Sequence, residues 1–350
     1  MRRMTRRDLL AAGLLVLTLL AGLVLLARHA RPGFDATPYV HPELRPFVPE
    51  VVARTYDFDA ATVARSRRTA PGVPEQLMPG WSKVAIAGDK GAPPVILYLG
   101  NRGSPARPRP AIVHFHGGGF IVGNARDAVQ DLNDIAVALD AVAVTVDYRL
   151  APETPYPGSL DDNYAALRWV YRHATELGVD PSRIALLGES AGGGHAAMLA
   201  IAARDRGEIP IAFEALVYPM LDDRTGSARQ LPPQQGALIW TPASNRFAWT
   251  ALLGVPAGSP HVPDGAVPAR VANLRGLPPT WIGVGSIDLF AAEDIDYARR
   301  LRAAGVPVQL NIYPGAFHAF DLYTRGRMAD RFRSDLLSAL RTGLHLDGRR

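Results

Sequence analysis

The stretch Gly188-Glu189-Ser190-Ala191-Gly192-Gly193 follows the apolar run RIALL and precedes a helical pattern. A serine with glycine two residues away on each side suits a nucleophile held out on a tight strand-to-helix turn. An ordinary Gly/Ser turn uses the same letters, so the serine needs partners. One set stands upstream, where His116-Gly117-Gly118-Gly119 follows the strand-like AIVHF. Glycines there leave backbone N–H groups unobstructed, and Gly117 and Gly118, with Ala191, are candidate donors of an oxyanion hole. A serine nucleophile also requires a base, and the base an orienting carboxylate. Asp288 in VGSIDLF and His318 in YPGAFHAF each stand just past a strand-like run, in the order serine, acid, histidine. Together these residue types suit acyl transfer through a covalent serine intermediate.

Other residues compete for the same roles. Glu293, Asp294 and Asp296 are rival acids, but their helical spacing reads as the solvated face of a helix. His195 and His261 are rival bases. His195 lies more than a turn beyond Ser190 on the following helix, where packing suits it better, and His261 falls in an irregular segment. His114 and His116 share a strand face and could ligate a metal, yet no cysteine and no persuasive third ligand accompanies them. His116 is better read as a brace for the glycine loop.

These residues need a frame that brings strand ends to one edge. KVAIAG, PVILYL, AIVHFH, AVAVTVDY, RIALLG, FEALVYP, PTWIGVG and VQLNIY read as eight strands. DAVQDLNDIAVAL, SLDDNYAALRWVYRHA, GGGHAAMLAIAAR, EDIDYARRLRAAG and a segment near 328–342 read as helices between and after them. Such alternation specifies an α/β fold, a mostly parallel sheet with helices on both faces. Residues 219–275 break the rhythm with proline, glycine and the aromatics Trp240, Phe247 and Trp249, and read as a cap insert. Residues 32–80 read as a linker and an N-terminal cap part, with short helical patterns at HPELRPFV and FDAATVARSRR. The catalytic domain is expected over 81–350.

Composition narrows the function classes. A hydrophobic content of 48% over 350 residues supports a large core. No cysteine is present, which excludes disulfides, thiolate catalysis and cysteine metal sites. The net charge of +5 is carried wholly by residues 1–31, with six arginines against Asp8. The remainder is neutral, so it offers no footprint for nucleic acid. From Leu9 to Ala27 run nineteen uncharged, mostly aliphatic residues, the length of a bilayer core. Four arginines precede that run and favour an N-terminus inside and a body outside the cytoplasmic membrane. An uncleaved transmembrane anchor is the expectation. A cleaved export signal is the alternative, since TRRDLL also resembles a twin-arginine signal.

HGGGF, DYRLAPE, GESAGG, YPMLDDRT, GLPPTWIGVGSIDLF and YPGAFHAF together resemble the hormone-sensitive-lipase-like branch of the α/β-hydrolases, its bacterial carboxylesterases in particular. The resemblance covers roughly residues 40–345. It implies an eight-stranded sheet with the second strand antiparallel, and a cap built from the N-terminal region and the insert after the sixth strand. It assigns Ser190 as nucleophile, Asp288 as acid, His318 as base, and Gly117, Gly118 and Ala191 as oxyanion donors. Arg149 and Glu153 of YRLAPE are implied to tie the loop at the strand end. The family often has Asp where Glu189 stands, Pro where Leu289 stands and Gly where Ala319 stands. The implied activity is hydrolysis of carboxylic esters without metal or organic cofactor, the partner being a small-molecule ester. A roof of apolar and aromatic residues from 219–275 and the proline-rich N-terminal segment is expected to favour short to medium acyl chains. An amidase or peptidase shares the same triad, and a non-catalytic small-ligand receptor shares the fold.

Overall fold

In the computed structural model, residues 34–68, 77–104 and 106–346 are described. The apolar run at 9–27 and its arginines lie outside them. Among the described residues no helix is long and apolar enough to cross a membrane.

Eight strands form one sheet: β1 (Ser82–Ile86), β2 (Val95–Gly100), β3 (Arg109–Phe115), β4 (Val142–Asp147), β5 (Val179–Glu189), β6 (Phe213–Val217), β7 (Thr280–Gly285) and β8 (Val308–Tyr313). Their order is β1-β2-β4-β3-β5-β6-β7-β8. β2 pairs antiparallel with both β1 and β4, and every later pairing is parallel. All eight coincide with the strand-like runs of the sequence. The inner strands are largely buried on both faces and so mostly apolar at successive positions, whereas the edge strands β1 and β8 carry exposed residues such as Lys83 and Gln309. Alternate residues serve opposite faces: Ala111, Val113 and Phe115 of β3 enter one core cluster and Ile112 the other.

The principal helices are α1 (Val48–Arg54), α2 (Ala60–Ser66), α3 (Val129–Leu139), α4 (Gly158–Arg172), α5 (Ala191–Arg206), α6 (Pro242–Leu253), α7 (Ala291–Ala303) and α8 (Arg327–Gly343). Leu160 and Tyr164 of α4, Met198 of α5 and Leu301 of α7 pack on one face of the sheet. Leu132 of α3 and Phe332, Leu336 and Leu340 of α8 pack on the other. Both faces are therefore closed, as a parallel sheet requires.

One element differs from the sequence reading, while the cap insert carries the helix expected of it. The pattern at HPELRPFV begins as a 3₁₀ turn (Arg45–Phe47), and α1 starts only at Val48. Proline is tolerated in a first helical turn but not inside, so Pro46 and Pro49 each mark a start. The segment 219–275 contains a true helix, α6. Its cap is Thr241, whose side chain accepts from the Ser244 N–H, and Pro242 opens the first turn.

Segments distant in sequence meet above the sheet. The Phe58 N–H donates to Ser244 Oγ at 2.9 Å, and the Ile239 N–H donates to Thr55 Oγ1 at 2.8 Å. The Phe58 ring lies 5.5 Å from that of Trp240. Arg67, just past α2, donates to the Ile121 and Ala151 carbonyls and pairs with Glu153 at 2.7 Å. Arg149 instead pairs with Asp162. Arg149 and Glu153 thus each tie the loop, but to different elements.

Candidate active site

Ser190 stands alone between the end of β5 and the start of α5, at φ 56° and ψ −118°. A non-glycine residue held there costs on the order of 1–3 kcal/mol, so its surroundings must impose it. The Ser190 N–H donates to the Val217 carbonyl, and the Met220 N–H donates to the Ser190 carbonyl, each at 2.9 Å. The neighbouring glycines are steric requirements. A Cβ on Gly188 would lie 2.2 Å from the Gly192 carbonyl oxygen, and one on Gly192 would lie 1.9 Å from that of Phe115. The turn closes against itself and against β3 only without those methyl groups.

The sheet order brings the other two side chains to the same edge. His318 Nε2 is 3.0 Å from Ser190 Oγ, and its Nδ1 is 2.9 Å from Asp288 Oδ2. The second carboxylate oxygen of Asp288 accepts from the Phe290 N–H at 2.9 Å. An ionised carboxylate only accepts, so Nδ1 carries the imidazole proton and Nε2 presents a lone pair to the serine hydroxyl. His318 is 4% exposed and Ser190 7%, enough to reach one reacting group while excluding bulk water.

The imidazole is also gripped edge-on by two aromatics that the sequence did not single out. The ring of Tyr218 lies 4.9 Å and that of Phe290 5.1 Å from it. The Tyr218 hydroxyl donates to Asp321 Oδ1 at 3.1 Å. Burial, foremost, pushes the Asp321 carboxyl up to about 6. The available signal was position alone: each aromatic stands within two residues of β6 or of Asp288. Ala319, where relatives often carry glycine, sits at φ 57° in the left-handed region. That conformation explains the family's glycine, and here the alanine is held in it.

The glycine loop lies beside the serine. A methyl group on Gly117 would come 3.5 Å from Ser190 Cβ. Gly118 and Gly119 have φ of 117° and 60°. A methyl on Gly119 would meet the Trp240 indole at 2.2 Å, so a residue of the 219–275 segment rests directly on the loop. Among the described residues, the N–H groups of Gly117, Gly118 and Ala191 donate to no protein partner. Three free amides next to a serine Oγ can bind an anion that develops there.

The rival residues go elsewhere. The expectation that Glu293 and Asp294 solvate a helix is overturned, for both are buried, and only Asp296 is on the surface, paired with Arg299. Glu293 accepts from the Leu221 and Asp222 N–H groups and from the Thr225 hydroxyl. Burial, with the Asp222 charge beside it, holds its carboxyl well above the usual range. Asp294 is raised likewise, by burial and then by Glu293 and Asp288, and neither of its oxygens has a protein partner. The helical pattern shows that these residues share a helix; it cannot show which side the sheet covers.

His195 is buried edge-on to Phe120 and Tyr148, and burial pushes its imidazole down to about 3. It is a packing residue. His261 is exposed. His114 is committed to Glu189 at 2.7 Å and Thr145 at 2.8 Å. Among the described residues no cluster of three or more His, Asp or Glu could hold a metal.

A serine at the turn after a central strand, relayed through histidine to aspartate at one edge of a mostly parallel sheet, defines an α/β-hydrolase. The chain belongs to that family, in its hormone-sensitive-lipase-like branch: a profile described as alpha/beta hydrolase fold matches residues 112–322. It is 34% identical over 289 residues to Esterase LipI of Mycobacterium tuberculosis, covering 82% of this chain and 89% of that one. Among solved structures, a bacterial heroin esterase is 34% identical with a TM-score of 0.78, covering 89% of this chain and 99% of the other. Esterase LipW from Mycobacterium marinum is 31% identical with a TM-score of 0.73, covering 89% and 98%.

Proposed function

We propose that this chain is a carboxylic ester hydrolase using Ser190 as nucleophile, His318 as base and then acid, and Asp288 as the group that orients and stabilises the imidazolium. The observation that carries the reading is the relay Asp288–His318–Ser190, with contacts of 2.9 and 3.0 Å. Ser190 Oγ attacks the ester carbonyl as His318 Nε2 takes its proton. The oxyanion is held by the N–H groups of Gly117, Gly118 and Ala191. On collapse, the C–O bond of the alcohol breaks and Nε2–H protonates the departing oxygen. Water, deprotonated by the same nitrogen, then attacks the acyl carbonyl. The bond from that carbon to Ser190 Oγ breaks to release the acid, and Nε2–H returns its proton to Oγ.

Residues 32–80 and 219–275 serve as the cap over the acyl site. Trp240 rests on Gly119 of the oxyanion loop and Phe58 packs against Trp240, an apolar roof that favours short to medium acyl chains. The test is kcat/KM across aryl esters of increasing acyl length. The expected maximum lies at short to medium chains. A maximum at long chains, or activity only at a lipid interface, overturns the size preference.

Residues 9–27 anchor the protein in the cytoplasmic membrane, N-terminus inside and hydrolase outside; export with signal cleavage is the alternative. Nineteen uncharged residues behind four arginines support this reading. Deleting residues 1–31 is expected to release a soluble enzyme with unchanged kcat/KM, since the site residues all lie beyond. Protease shaving of spheroplasts checks the orientation. A body protected from external protease contradicts it.

A further inference from the structure

The mechanism leaves open what aims the oxyanion donors. A trans peptide points its C=O and its N–H in opposite directions, so fixing one end of the unit fixes the other. The Tyr148 hydroxyl, one residue past β4, donates to the His116 carbonyl at 2.7 Å. That carbonyl belongs to the same peptide unit as the Gly117 N–H, which has no protein partner and stands beside Ser190. We infer that Tyr148 is a positioning residue for catalysis: its hydroxyl holds the His116–Gly117 peptide so that the Gly117 N–H faces the developing oxyanion. This rests on the ester-hydrolase reading above.

Three further observations support it. The Tyr148 ring is stacked on His116, with centroids 4.2 Å apart and planes 9° from parallel, so the hydroxyl is held in place. His195 packs edge-on against the same ring at 4.4 Å, locking it from another direction. The hydroxyl is buried, and burial with the nearby Glu189 and Asp147 charges pushes the phenol well above its ordinary range. It therefore stays a donor throughout the working pH range. The hydrogen bond also polarises the peptide, making its N–H a stronger donor. The neighbouring peptides have their own holds, His116 Nδ1 at 2.7 Å from the Gly117 carbonyl and the Ile121 and Val122 N–H groups on the Gly118 carbonyl. The buried hydroxyl is the restraint applied to the His116–Gly117 peptide itself.

Tyr148→Phe removes the hydroxyl and keeps the ring. Losing an oxyanion donor outright costs about 10²–10³ in rate, so misaiming one is expected to lower kcat about 10- to 100-fold with KM nearly unchanged. A readout that packing does not move is the infrared carbonyl stretch of a ¹³C-labelled acyl-enzyme, formed from a slowly deacylating aryl acrylate ester. Weaker hydrogen bonding in Tyr148→Phe is expected to shift that stretch upward. Tyr148→3-fluorotyrosine keeps the ring and strengthens donation, and is expected to shift it downward, which tests the idea even if the phenylalanine variant fails to fold. Tyr164→Phe, which loses a hydroxyl bonded to Glu208 instead, is expected to change neither quantity. A stretch that does not respond at position 148, or a kcat for folded Tyr148→Phe within about threefold of the parent, overturns the proposal. If the parent chain forms no acyl-enzyme at all, the ester-hydrolase reading itself fails, a distinguishable result.

Discussion

Ser190→Ala, His318→Ala and Asp288→Asn are each expected to lower kcat by roughly 10⁴-fold or more, and combining them to cost little further. A loss of that size is about 5.5 kcal/mol of transition-state stabilisation, far beyond a surface contact. The serine variant removes the attacking atom and the histidine variant the proton acceptor. The asparagine variant acts differently. Its amide can donate to Nδ1, which moves the imidazole proton to Nε2 and leaves no lone pair facing Ser190. Steady-state kinetics with an active-site titrant measure all three. Glu293→Gln is the internal control, because Glu293 is spent on the Leu221 and Asp222 amides and the Thr225 hydroxyl. Its kcat should stay within about threefold of the parent. A near-normal Asp288→Asn beside a dead Glu293→Gln would reverse the assignment of the acid.

Gly118→Ala is expected to lower kcat by about 10²–10³-fold while the protein still folds. At φ 117° an alanine is strained, and its Cβ would stand 2.1 Å from the Val122 carbonyl oxygen. Neither atom can yield alone, because the Ile121 and Val122 N–H groups both donate to the Gly118 carbonyl and define the tight loop. The loop must open, and the Gly117 and Gly118 amides turn away from Ser190. Circular dichroism and thermal melting separate this local change from unfolding. A folded variant with parent-like kcat would show that the oxyanion is held by other groups.

Much of the molecule is legible in the sequence because the signals involved are local. An inner strand covered on both faces is mostly apolar at successive positions and an edge strand alternates with exposed residues, and both patterns were readable in the eight runs that became strands. The strained turn at Ser190 closes only with glycines two residues away on each side, so Gly188 and Gly192 marked a candidate turn that the glycine loop at 117–119, Asp288 and His318 then singled out. Asp288 and His318 were recognisable because strand ends in this topology share one edge. Folding decided the matters that depend on partners far apart in the chain. Helical spacing put Glu293 and Asp294 on one helix, but the neighbouring segment 221–225 determined that Glu293 is buried and bonded. Glu153 found Arg67 of the N-terminal segment, 86 residues away, rather than a neighbour in its own motif. The grip of Tyr218 and Phe290 on His318 exists only where β6 and β7 lie side by side. The hold of Tyr148 on the His116 carbonyl likewise exists only because β3 and β4 are adjacent in the sheet. Residue type sets what a group can do, the local backbone sets which way it points, and the tertiary arrangement of strands, helices and loops sets what it meets.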